Sequence, residues 1–175
     1  MKNVLWISLV IVLLLSVCYP VEAAEQALSV GYGFALGSSG HRPGRISEGN
    51  YNLVVASYSY EIPMSPKWLI TAGPFLSYVM NPTEGVEAGA NLELKVYPFS
   101  RDHSGFYITA GTGGAYSTLG FVEQGTHAFF ILQGAAGYRY KNFFIEDRYR
   151  HYSNGGTAWP NQSINANIIN IGMFF

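Results

Sequence analysis

Along most of this chain apolar residues alternate with small or polar ones. Between residues 28 and 36, Leu28, Val30, Tyr32, Phe34 and Leu36 fall on one side, and Ser29, Gly31, Gly33 and Ala35 on the other. A repeat of two residues predicts a strand, because successive side chains leave a pleated backbone on opposite faces; a helix would repeat at 3.6. Comparable runs are predicted at 51–60, 68–79, 86–97, 106–116, 127–138, 143–153 and 164–175. Turn-rich stretches separate them. The total of about eight is even, and it is the smallest usual strand count of a transmembrane barrel.

The run at 86–96 sharpens the picture. Val86, Ala88, Ala90, Leu92, Leu94 and Val96 share one face, while Glu87, Asn91, Glu93 and Lys95 share the other. An apolar outside against lipid and a polar inside would give this pattern. A soluble sandwich, burying its apolar face and solvating the charges, would give it too. Length separates the two: lipid-crossing strands need ~9–11 residues, against a soluble mode of ~5–6, and several runs reach the longer figure. The last run also stops on an aromatic, Phe175. Pro74 donates no ladder hydrogen bond, so a bulge is expected there. Residues 37–50, 119–126 and 154–163 are expected to be external loops, and 62–67, 98–105 and 140–142 internal connections.

Residues 1–23 read as a secretory signal, with Lys2 at the start, an apolar core over 4–17 and a small-residue cleavage site near Ala23. That core is shorter than the ~20 residues of a spanning helix. Cys18 lies inside the signal segment, so the mature chain is expected to carry no cysteine and no disulfide. The expected fold is therefore all-β: one eight-stranded antiparallel barrel of the outer-membrane type over 24–175. A net charge of −1 with no basic patch argues against a nucleic-acid partner, and 49% hydrophobic residues argue against a disordered chain.

The candidate chemistry lies in the last quarter. Over 143–153 the charges Glu146, Arg148 and Arg150 occupy the even positions, which are expected to face the lumen. His151 and Ser153 then face outward, near the outer headgroups. The alternation of Ile169, Ile171, Met173 and Phe175 puts Asn165 on the outward face beside His151. A hydroxyl, an imidazole to take its proton and a group that orients the imidazole are what nucleophilic ester hydrolysis needs. Each of these residues alone would be an ordinary rim residue. Asp147 is also expected to point outward, where a carboxylate is costly. No GxSxG elbow, HExxH or Cys/His metal spacing occurs, so neither an α/β-hydrolase nor a metal or other cofactor is expected.

The run His151-Tyr152-Ser153-Asn154, then Gly156, then Pro160-Asn161, resembles the signature of PagL-type lipid A deacylases. The resemblance implies an eight-stranded outer-membrane barrel that removes the ester-linked 3-hydroxyacyl chain at the 3 position of lipid A. It implies Ser153 as nucleophile and His151 as general base, with Asn154 and the Gly156 N–H lining the oxyanion hole and Asn161 as motif support. The family's third catalytic member is usually a glutamate; here that position is Asn165. An Asn can accept the imidazole N–H bond but cannot stabilise the imidazolium by charge. The partners implied are lipid A, as lipopolysaccharide, and the outer-membrane lipid; a homodimer stays open. Tyr149 and Trp159 are candidates to flank the acyl chain, and Arg42 and Arg45 to meet lipid A phosphate. Two alternatives remain: a structural or adhesion-type barrel without activity, and another outer-membrane lipid esterase or acyltransferase.

Overall fold

The computed structural model describes residues 24–38, 51–81, 83–121 and 124–175. They form eight strands: β1 (Glu25–Ser38), β2 (Asn52–Ser65), β3 (Trp68–Asn81), β4 (Gly85–Val96), β5 (Gly105–Ser117), β6 (Ala128–Tyr140), β7 (Phe143–Ser153) and β8 (Ile164–Phe174). Each pairs antiparallel with its chain neighbours, and β1 pairs with β8 to close a barrel. With 11 to 14 residues each, all eight are long enough to cross a hydrocarbon core when tilted. The proposed signal segment and residues 39–50, which include Arg42 and Arg45, lie outside the described residues.

The distribution of side chains is that of a soluble protein turned inside out. Leu28, Val30 and Tyr32 of β1, Leu92 and Leu94 of β4, and Ile169 and Ile171 of β8 are exposed on the outer wall. Glu61, Glu87, Glu93, Lys95, Glu146 and Arg150 are buried in the lumen. Water around the outside would leave this apolar band unpaid for, whereas lipid removes the penalty.

An eight-stranded lumen is narrow enough for side chains to fill, and here it is filled in layers. Charges occupy the middle: Lys95 pairs with Glu61, and Arg148 with both Glu93 and Glu146. Towards the rim that carries the 154–163 connection, Leu53, Val55, Phe75, Phe129, Ile131, Ile164 and Ile168 form an apolar plug. The expectation of a polar inside holds for the charged middle and is corrected at this rim. A gap above the charged layer would leave those ion pairs open to water, and packed apolar side chains close it.

Two further expectations are corrected. Pro74 causes no bulge: its register with β4 is regular, and the ladder to β2 skips Tyr58 and Ser59 and resumes in the same register. Residues 62–65 belong to β2, which leaves Pro66–Lys67 as the turn; the two irregularities of that hairpin fall between Asn52 and Leu53 and between Pro63 and Ser65. The connection between β6 and β7 is as tight as expected. It is two residues long, with Lys141 at a left-handed φ of 54°.

Candidate active site

The even residues of β7 are anchored inside the barrel, which fixes where its odd residues point. Arg150 is 1% exposed; it donates to Gln133 Oε1 at 3.0 Å and lies 4.3 Å over the Phe75 ring. Tyr152 donates to Glu87 Oε2 at 3.3 Å, and Tyr51 reaches the other oxygen at 2.7 Å. Flipping the strand would drive these groups into lipid. Tyr149, His151 and Ser153 therefore stand on the outer wall, as the alternation predicts.

In β8, Asn165 is the direct partner of His151, and Asn167 that of Tyr149. The His151 Nδ1–H donates to Asn165 Oδ1 at 2.8 Å, and the Tyr149 hydroxyl donates to the same oxygen at 2.8 Å. A proton on Nδ1 leaves Nε2 with its lone pair, the form a general base needs. Ser153, two residues further along the same face, accepts the Gly155 N–H on Oγ at 3.0 Å. Among the described residues no Ser153–His151 hydrogen bond is present; the two share the outer face of β7.

Past Ser153 the chain turns sharply, with Gly155 and Gly156 at φ 63° and 81°. The turn is organised by Asn154, which is fully buried. Its Nδ2 donates to the carbonyls of Gln124, Ala158 and Pro160 at 2.6, 2.9 and 3.1 Å, and its Oδ1 accepts the Gly156 N–H at 2.8 Å. The two donors expected to line the oxyanion hole, the Asn154 amide and the Gly156 N–H, both have partners within the loop. The Asn154 amide serves a buried carbonyl cluster that has no water to turn to, while the Gly156 N–H, on an exposed residue, meets Asn154 Oδ1. Asn161 is placed differently: its Oδ1 accepts the Asn154 N–H at 3.1 Å, and its amide is exposed beside the turn.

Sequence reasoning missed the other half of this loop. Gln124, also fully buried, supplies the carbonyl that Asn154 holds, and its own amide donates to the carbonyl of Gln162. Gly125 has φ 58°, and a Cβ there would stand 2.3 Å from the Trp159 carbonyl oxygen. The connection between β5 and β6 is thus stitched to the one between β7 and β8. Trp159 itself is 90% exposed.

One family model matches this chain, that of lipid A 3-O-deacylase (PagL), over residues 52–174. The chain belongs to the PagL family. The match runs from the start of β2 to the end of β8, so it takes in every residue of the site. Membership makes the protein an ester hydrolase of the lipid A deacylase type. The crystal structure of the outer membrane enzyme PagL is similar with a TM-score of 0.62 at 14% identity, covering 83% of this chain and 98% of that one. The backbone structure of the Yersinia pestis outer membrane protein Ail is similar at 0.52 and 12% identity, covering 87% of this chain and 100% of that one. The crystal structure of Ail, the attachment invasion locus protein of the same organism, reaches 0.50 at 12% identity, with 87% and 99% covered. At such identities the likeness is one of fold. No curated sequence matches.

Within the PagL frame, the acidic residues of β7 are not at the third position of the site. Glu146 points into the lumen, where Arg148 pairs with it. Asp147 is on the outer wall, as predicted, with no register shift in either ladder of β7. Asn167, two residues after Asn165 on the same face, donates to its carboxylate at 2.6 Å. That bond offsets part of the cost of an outward acid. Arg101 lies in the turn between β4 and β5, at the end of the barrel away from Ser153.

Proposed function

We propose that this protein resides in the outer membrane and hydrolyses the ester-linked 3-hydroxyacyl chain at the 3 position of lipid A, with Ser153 as nucleophile and His151 as base. The observation that carries the reading is the 2.8 Å bond from His151 Nδ1 to Asn165 Oδ1, made on the outer wall beside Ser153. It holds the imidazole in the tautomer whose Nε2 can accept the serine proton. A lipid in the outer leaflet reaches that face laterally, so no pore is needed.

Ser153 Oγ attacks the ester carbonyl carbon while its proton passes to His151 Nε2, giving a tetrahedral oxyanion. The imidazolium keeps its Nδ1–H on Asn165. Collapse breaks the bond to the sugar oxygen, which leaves with the proton from Nε2 as the free 3-hydroxyl. Water, deprotonated by Nε2, then attacks the acyl-serine and releases the 3-hydroxy fatty acid. With the donors of Asn154 and Gly156 spent in the turn, the exposed Asn161 Nδ2 is the donor assigned to the oxyanion. One such donor contributes ~2.7–4 kcal/mol.

The test is mass spectrometry of lipid A from cells expressing the protein, beside a Ser153→Ala copy at equal barrel content. Loss of one 3-hydroxyacyl mass with the parent alone is the expected result. Unchanged lipid A in both, with the barrel folded, would overturn the reading in favour of another ester substrate.

A further inference from the structure

A neutral amide at the third position of the site raises a problem that a carboxylate would not. Both ends of a carboxylate accept hydrogen bonds, so either oxygen serves the imidazole. An amide has one accepting end and one donating end. Turned by half a rotation, Asn165 would present Nδ2 to His151, and Nδ1 would have to accept. The proton would then sit on Nε2, and the base would be lost. The imidazolium formed during attack on the ester tolerates no such turn, because both of its nitrogens donate.

The outer wall holds a group that weighs against this rotation, because a phenol hydroxyl donates well and accepts poorly and so favours the amide oxygen over the amide nitrogen as its neighbour. Tyr149 is two residues before His151 on the same face of β7, and diagonal to Asn165 across the β7–β8 ladder. Diagonal neighbours of an antiparallel pair are within reach of long aromatic side chains. The Tyr149 hydroxyl meets Asn165 at Oδ1, the oxygen that already receives the His151 N–H, with both distances 2.8 Å. We infer that Tyr149 is a positioning residue: its hydroxyl keeps the Asn165 amide turned with Oδ1 towards His151, so that an asparagine can hold the imidazole where a carboxylate would otherwise stand. The inference rests on the reading of Ser153 and His151 as nucleophile and base. The Tyr149 hydroxyl bonds to Asn165 and not to the imidazole, so it acts through Asn165.

Tyr149→Phe removes the hydroxyl and keeps the ring on the lipid-facing wall, where an apolar side chain is at home. Two measurements on the full barrel in micelles decide the matter. The first is nitrogen NMR of the protein labelled at histidine, with the His151 signals assigned through a His151→Gln variant. The parent is expected to carry its proton on Nδ1, and Tyr149→Phe a mixture of the two tautomers. An unchanged ratio in the variant, or a parent already protonated on Nε2, would overturn the inference. This readout does not depend on turnover, so it stands even if lipid A is not the substrate. The second is kinetic. Tyr149→Phe is expected to lower kcat roughly three- to ten-fold, the size of one neutral hydrogen bond, with KM unchanged. In an Asn165→Glu background the same substitution is expected to change kcat less than about two-fold, since a carboxylate has no wrong end. Equal losses in both backgrounds would show that the hydroxyl acts by some route other than the amide.

Discussion

Truncating Asn154 to alanine separates a structural from a chemical role for the residue that follows the nucleophile. The side chain is fully buried, and its removal strips two donated N–H bonds shared among three carbonyls and one accepted bond from Gly156. At about 1 kcal/mol net for each of three bonds, the loop loses about 3 kcal/mol of local stability, or roughly two orders of magnitude in the population of its open form. Gly156 is exposed, so its N–H finds water; the carbonyl of Gln124 faces the buried side and does not recover as cheaply. Hydrogen exchange followed by mass spectrometry should therefore show protection over residues 154–163 falling about a hundred-fold, with the strands unchanged. Asn154→Asp should do at least as badly, because it turns a second oxygen against three carbonyls while keeping the acceptor for Gly156. Activity should fall with loop opening. If exchange stays at the parent level while kcat drops by about 10²–10³, the loss expected of an oxyanion donor, then Asn154 works on the ester and its bonds to the loop are incidental.

Other expectations concern the barrel wall and its contents. Lys95→Met removes the partner of Glu61, which is 1% exposed, and should cost about 3 kcal/mol in urea unfolding from vesicles; adding Glu61→Leu should recover most of it. A double variant no more stable than the single one would show that the pair is not desolvated. Asp147→Asn takes a charge off the outer wall while leaving an oxygen for Asn167, and should raise stability by about 1 kcal/mol in the same assay. A lower midpoint would mean that Asp147 does not face hydrocarbon.

The strands were legible where only one face of each is apolar. β1 and β4 show this cleanly, and β7 through its charges Glu146, Arg148 and Arg150. β2 and β8 are less readable, because their inward positions near the rim are apolar too. Leu53 and Val55 face in while Val54 faces out, and Ile164 and Ile168 face in while Ile169 and Ile171 face out. A period of two with apolar residues on both faces carries little contrast, so the apolar plug was invisible. The placement of His151, Ser153 and Asn165 followed from parity alone. The role of Asn154 did not, since it depends on Gln124, thirty residues away, and no local pattern records that contact. The same holds for Pro74, whose missing donor is absorbed by a skipped pair in the ladder to β2.

The seam of the barrel joins Ala27 to Phe174, almost the full described length apart, whereas His151 and Asn165 are separated by a single hairpin. Contacts so distant in sequence close slowly. Until they close, the free edge of β8 would present unpaired N–H and C=O groups to hydrocarbon, each costing several kcal/mol. A half-zipped barrel with its imidazole and amide already paired is therefore not a resting species within the bilayer. Refolding should switch on deacylation at the rate of seam closure, and enzyme activity becomes a kinetic reporter of a joint made by strands one and eight.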